Sequence, residues 1–212
     1  MATRTRRPGR PRKAANWVDP RERLLRSAEE LFYRNGISAT GIDQLLAHAG
    51  VAKMSMYAHF GSKDRLTADY MERIGRVWWA WFDEQMARGP ADPVSRLVHV
   101  FELVAAWVAR DGYCGCAFIN AAAQLNDTSH PAYAVAVENK VALRARLERM
   151  AREAGLDRPK QVARELSLLI DGALVAAAME RSRAPAMAAR QAAARLLDSR
   201  PRGRRRATQL QG

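Results

Sequence analysis

Apolar residues recur at helical spacing along most of this chain, and almost nowhere with the alternation of a strand. Ile42, Leu45, Leu46 and Ala49 stand at i, i+3, i+4 and i+7, the pattern of a one-sided helix. Thr40 just ahead, with Asp43 three residues on, reads as a variant capping box. Gly50 supplies a turn, and Lys53–Phe60 follows as a second short helix. At 100° per residue, Met56 and Phe60 fall on one side of it and Met54 and Ala58 on the other, with Ser55 and Tyr57 flanking the second face. Met56, Phe60 and Val51 are expected to lock this helix onto its predecessor and onto residues 24–32.

The longer elements are punctuated by a capping residue followed by proline. Asp19-Pro20, Asp92-Pro93 and His130-Pro131 each place proline at a first helical position, and Gly36, Gly112 and Gly155 mark stops. Residues 62–88 form one long amphipathic pattern, with Leu66, Tyr70, Ile74, Val77 or Trp78, and Trp81 along one side. It would span about 40 Å. Residues 93–110 are apolar nearly all round, so that helix is expected to be enclosed. The two final segments, 165–182 and 185–199, carry Gly172, Ala173, Ala176, Ala177 and Ala178 in helical register, which suits close helix approach between subunits. β-Branched residues are sparse and alanine is abundant. The expected class is all-α.

Charge changes the picture at the two ends. The net charge is +13, and eleven of those charges sit in residues 1–15 and 200–212, which contain no acidic residue. Both tails are rich in Pro, Gly and Arg and are expected to be disordered. No run of eighteen apolar residues occurs, and the basic start is not followed by an apolar stretch of the signal-peptide kind, so a cytoplasmic protein with no membrane partner is expected. Cys114 and Cys116 are too close to staple a fold and lack the companions of a zinc site. They read as packed thiols or as a vicinal thiol sensor. Nothing pairs a nucleophile with a base or cradles a phosphate, so neither an enzyme, a cofactor nor a metal is expected.

Two short helices across a tight turn, the second with Met54, Ser55, Tyr57 and Ala58 free and Lys53, His59 and Lys63 at the edges, have the geometry of a helix-turn-helix reader of DNA. With the preceding segment, ERLLRSAEELFYRNG, this stretch resembles the DNA-binding domain of the TetR family of bacterial transcriptional regulators. The matching residues include Ala28, Leu31, Phe32, Gly36, Thr40, Ile42, Ala49, Gly50, Val51, Tyr57, His59, Phe60, Ser62, Lys63 and Leu66. The resemblance covers about the first third of the chain. It implies that Thr40, Tyr57, His59 and Lys63 hold phosphates while Lys53, Met54, Ser55 and Ala58 approach bases. Ala52 departs from the capping serine frequent in the family, and Met54 from a small residue. The tail sequence RRPGRPRK looks like an AT-hook, with Pro8 in place of the usual arginine before Gly9, so Arg10 and Arg12 suit a narrow minor groove.

Beyond the DNA-binding stretch, residues 116–126 are apolar except for Cys116, Asn120 and Gln124, which share one face. They read either as the polar wall of a ligand pocket, with Trp107, Tyr113 and Phe118 as apolar wall, or as partners for neighbouring helix ends. Asp171 reads as a structural ion-pair partner or as the counter-ion of a cationic ligand. In the TetR family the last two helices build the dimer. The expected organisation is a basic arm at 1–15, a helix-turn-helix domain at 16–65, a helical ligand-binding and dimerisation domain at 66–199 and a basic tail at 200–212. The expected function is a homodimeric regulator, a repressor in the first instance, that binds a palindromic double-stranded operator and is released by a small-molecule effector. The rival is an architectural, weakly specific DNA-binding protein without an effector.

Overall fold

The computed structural model describes residues 18–200. Among them are nine helices and no strand: α1 (Pro20–Asn35), α2 (Ile42–Ala49), α3 (Lys53–Phe60), α4 (Lys63–Ala87), α5 (Pro93–Val108), α6 (Ala117–Gln124), α7 (Pro131–Glu153), α8 (Pro159–Glu180) and α9 (Ala184–Asp198). The three cap-plus-proline starts hold. The Asp19 carboxylate accepts from the Arg21 N–H, Asp92 from Ser95 and the His130 ring from Ala132. Ser62 caps α4 by accepting from the Arg65 N–H at 3.0 Å. No helix among the described residues is long and apolar enough to cross a membrane.

The expected capping box ahead of α2 does not form. Gly41 is the N-cap and offers no side chain, while the buried Thr40 hydroxyl turns back to donate to the Gly36 carbonyl at 2.7 Å. The carbonyl left over at the end of α1 competes better for that hydroxyl than the first turn of α2.

Two cores divide the helices. The first joins α1, α2 and α3 to the first half of α4, around Leu24, Phe32, Leu45, Met56, Phe60, Leu66 and Tyr70. Phe118 and Ala121 of α6 and Ala132 and Ala136 of α7 complete it. The second gathers Phe82 and Met86 of α4 with α5, the later turns of α7, α8 and α9. Helix α5 is enclosed as its pattern predicts, with Leu97, Val100, Phe101, Leu103, Val104, Ala105 and Val108 all buried. At about 37 Å, α4 reaches from one core to the other.

The small residues of α8 divide differently from the expectation. Ala173 and Ala177 face inward and are buried within the subunit. Gly172 faces open space, in a stripe with Leu168, Val175 and Met179. Leu168 is 66% exposed and Met179 80%. Asp171 has the structural role, in an ion pair with Lys140.

Candidate nucleic-acid interface and ligand cavity

Helix α3 is pinned from one side only. Met56 and Phe60 are buried, whereas Met54 is 86% exposed and Tyr57 43%. Lys53, Ala58 and His59 are also exposed, and Ser55 is half-buried. The thioether of Met54 and the ring of Tyr57 thus stand on the solvent-facing side of a two-turn helix. Gly50 makes the turn before it in the left-handed region at φ 58°, and Arg23 donates to the Gly50 carbonyl at 2.7 Å. Ser27 donates to the Leu45 carbonyl at 3.1 Å, so α1 holds both α2 and the turn.

Two polar residues expected on the phosphate-facing edge are turned inward. Thr40 is buried as described above. Lys63 donates from Nζ to the Ile37 carbonyl at 2.9 Å and lies 5.9 Å from the Phe32 ring centroid. Burial holds its pKa below the ordinary lysine value, with Asp64 opposing. Both side chains therefore close the connection between α1 and α2 rather than facing outward. Arg10 and Arg12 lie outside the described residues.

The first core is tied to α4 by ion pairs. Asp69 meets Arg21 at 2.6 Å and Arg65 at 2.8 Å, and Glu22 meets Arg73 at 2.7 Å and Arg26 at 2.9 Å. The Arg73 and Arg26 guanidiniums hold the Glu22 carboxyl down to about 2. Any displacement of α4 must carry α1 with it or break the Arg21–Asp69 and Arg73–Glu22 pairs, which cross between the two helices.

Between the two cores lies a cavity of about 360 Å³, walled by α1, α4, α5, α6, α7, α8 and the connection from α5 to α6. Of the six residues expected there, Trp107, Tyr113, Cys116 and Phe118 line it. Asn120 and Gln124 do not. The Asn120 amide donates to the Cys114 carbonyl at 3.0 Å and steadies the connection before α6. The Gln124 Oε1 accepts from the Ile37 N–H at 2.7 Å, and the Gln124 carbonyl accepts from the Ser38 hydroxyl at 3.3 Å. Gly36 makes this approach possible, because a Cβ there would stand 2.8 Å from Oε1. The reading as partners for neighbouring backbone, not ligand contacts, is the one the structure supports.

The cavity also has walls that the sequence did not reveal. Tyr33 enters from α1; its hydroxyl accepts from the Cys114 N–H at 2.9 Å and donates to the Gly115 carbonyl at 3.2 Å. Burial chiefly raises its pKa. Tyr113 donates to the Leu174 carbonyl at 3.0 Å. Trp78 enters from α4, and Asn139 and Lys140 from α7. The Asn139 side chain has no hydrogen-bond partner among the described residues. The apolar stripe of α4 pointed to Trp78, but nothing local marked Tyr33 or Asn139, which reach the cavity only through tertiary packing.

Residues 24–70 match the family model described as bacterial regulatory proteins of the tetR family. A solved protein described as a TetR transcriptional regulator, from Streptomyces avermitilis, is 33% identical and superposes with a TM-score of 0.70. The match covers 83% of this chain and 98% of that one. A TetR-family transcriptional regulator from Streptomyces coelicolor is 25% identical, with a TM-score of 0.76 over 85% of this chain and 96% of that one. The transcriptional repressor NemR of Escherichia coli is 27% identical over 112 residues, or 52% of this chain. In sequence, the chain thus spans 56% of that repressor's length. These relatives are transcriptional regulators, not enzymes.

Proposed function

The chain belongs to the TetR family of bacterial regulatory proteins, and from that premise we propose that it is an effector-responsive repressor acting as a homodimer on a palindromic operator in the cytoplasm. The observation that carries the DNA-binding half is the exposed face of α3, held from behind by Met56 and Phe60. In this reading Met54 and Ala58 touch base edges, Lys53 and Ser55 approach them, and Tyr57 and His59 take phosphates. A single recognition helix reads only a few base pairs, so a two-fold dimer supplies the second half-site, about 34–36 Å or a multiple of it away.

The exposed stripe of Leu168, Gly172, Val175 and Met179 on α8 supports the dimer. A second copy of the same stripe would cover it, and Gly172 would let the two backbones approach closely. The effector half rests on the cavity touching both cores, through Glu29 and Tyr33 of α1 and Ile74, Val77 and Trp78 of α4. A guest that favours a displaced α4 would move the two recognition helices out of register with the groove. Shifting the population from 1:99 to 99:1 takes about 5.5 kcal/mol of differential affinity.

In vitro selection from random duplexes with the full chain tests the reading. The expected product is an inverted repeat. Recovery of no preferred sequence would support weakly specific, architectural binding instead.

A further inference from the structure

Resting on the effector reading above, we infer that the cavity takes a flat aromatic guest bearing a carboxylate, with its ring against the aromatic wall and the carboxylate on Arg110. Four charged side chains reach the cavity: Glu29, Arg110, Asp111 and Lys140. Two of them are neutralised within the protein. Glu29 stands 3.4 Å from Arg73, and Lys140 is paired with Asp171.

Arg110 has no carboxylate within ion-pair distance among the described residues. Its guanidinium carbon lies 4.2 Å from the Trp107 ring centroid and 5.8 Å from that of Trp81. Stacking on indole occupies the face of the guanidinium and leaves its N–H edge open, and that edge takes a carboxylate through two parallel hydrogen bonds.

Asp111 also lines the cavity with no ion-pair partner among the described residues, so an organic cation is the competing guest. The indole surface beside Arg110 is already occupied. Arg110 covers Trp107, and the Trp78 ring is packed by Trp81 at 5.4 Å, Phe82 at 5.8 Å and Trp107 at 4.8 Å. A cation would also meet the Arg110 charge at the same mouth. The tyrosine hydroxyls give a guest little purchase, because Tyr33 and Tyr113 donate to protein carbonyls. The guest is therefore largely apolar with one acidic group, and a ring gains contact with the Phe118 ring, which lines the cavity, that an alkyl chain does not.

Calorimetric titration of the full chain, without DNA, against 2-naphthoate, 2-naphthamide, 2-naphthyltrimethylammonium and decanoate tests this. The expected order places 2-naphthoate on the order of tenfold tighter than each of the others, the scale of a charge-assisted hydrogen-bond pair. Arg110→Met should remove the preference over the amide while amide binding persists, and Arg110→Lys should restore part of it. The inference is overturned if 2-naphthoate does not bind, if any of the other three binds as tightly, or if Arg110→Met keeps the preference. Since no DNA is present, such a failure leaves the regulator reading standing. Tight 2-naphthoate binding that does not release the operator would keep the guest chemistry and remove the effector role.

Discussion

At the scale of single residues, Lys63 and Lys53 stand ten positions apart and differ in what their charge does. Lys63 is bonded to the Ile37 carbonyl, so Lys63→Met should lower stability by about 1 kcal/mol, the typical worth of such a bond. The salt dependence of DNA binding should stay unchanged. Lys53 is exposed on α3, and Lys53→Ala should reduce the logarithmic salt slope by about one unit. Salt titrations of DNA affinity beside thermal melts separate the two; a reduced slope for Lys63→Met would return that residue to the phosphate-facing edge. Met54 and Ala58 lack hydrogen-bonding side chains, so they are expected to contact thymine methyl groups. Uracil at the matching operator positions should weaken binding. The burial of Met56 and Phe60 was legible because helical spacing decides which face is apolar. The inward turn of Thr40 and Lys63 was not, since spacing within α2 and α4 says nothing about an unpaired carbonyl in the connection before them.

At the scale of elements, α6 is gripped at both ends by the DNA-binding unit. Tyr33 holds the connection before it, and Gln124 holds the backbone of Ile37 after it. Gln124→Leu would strand the Ile37 N–H at a cost of about 1–3 kcal/mol, so the chain should melt earlier with or without a cavity guest. An unchanged melt would mean that the bond is not maintained. The seam between α1 and α4 should respond to acid. Glu22 is held at about 2 in the folded chain, so its pairing stabilises fully above the unfolded carboxyl value and is lost as pH falls from near 4.5 toward 2. The melting difference between the parent chain and Glu22→Gln should therefore be present at neutral pH and shrink across that window; a constant difference would contradict the pairing. Helix starts at Pro20, Pro93 and Pro131 were legible because aspartate or histidine followed by proline is a local signal. The role of Gln124 was not, because its partner lies 87 residues away in sequence.

At the scale of the whole molecule, the proposed operator binding depends on two copies acting together. Leu168 and Met179 are the most exposed large apolar residues of α8, and they lie on one stripe. Leu168→Glu with Met179→Glu should convert the proposed dimer to a monomer in light scattering and leave the helix content intact. A dimer that survives both changes would move the interface to another face. The apolar spacing of α8 announced a helix with more small residues than one core needs. Which of them face out became clear only once α5, α7 and α9 had covered Ala173 and Ala177. In the proposed dimer, two recognition helices read two half-sites at once. Stoichiometry and affinity of the full chain, measured on a selected duplex and on the same duplex with one half-site scrambled, check this. Two chains per intact duplex are expected, with a loss of affinity on the order of a hundredfold or more on scrambling, because several base pairs each contribute about 1–3 kcal/mol. One chain per duplex, with equal affinity for both, would contradict it.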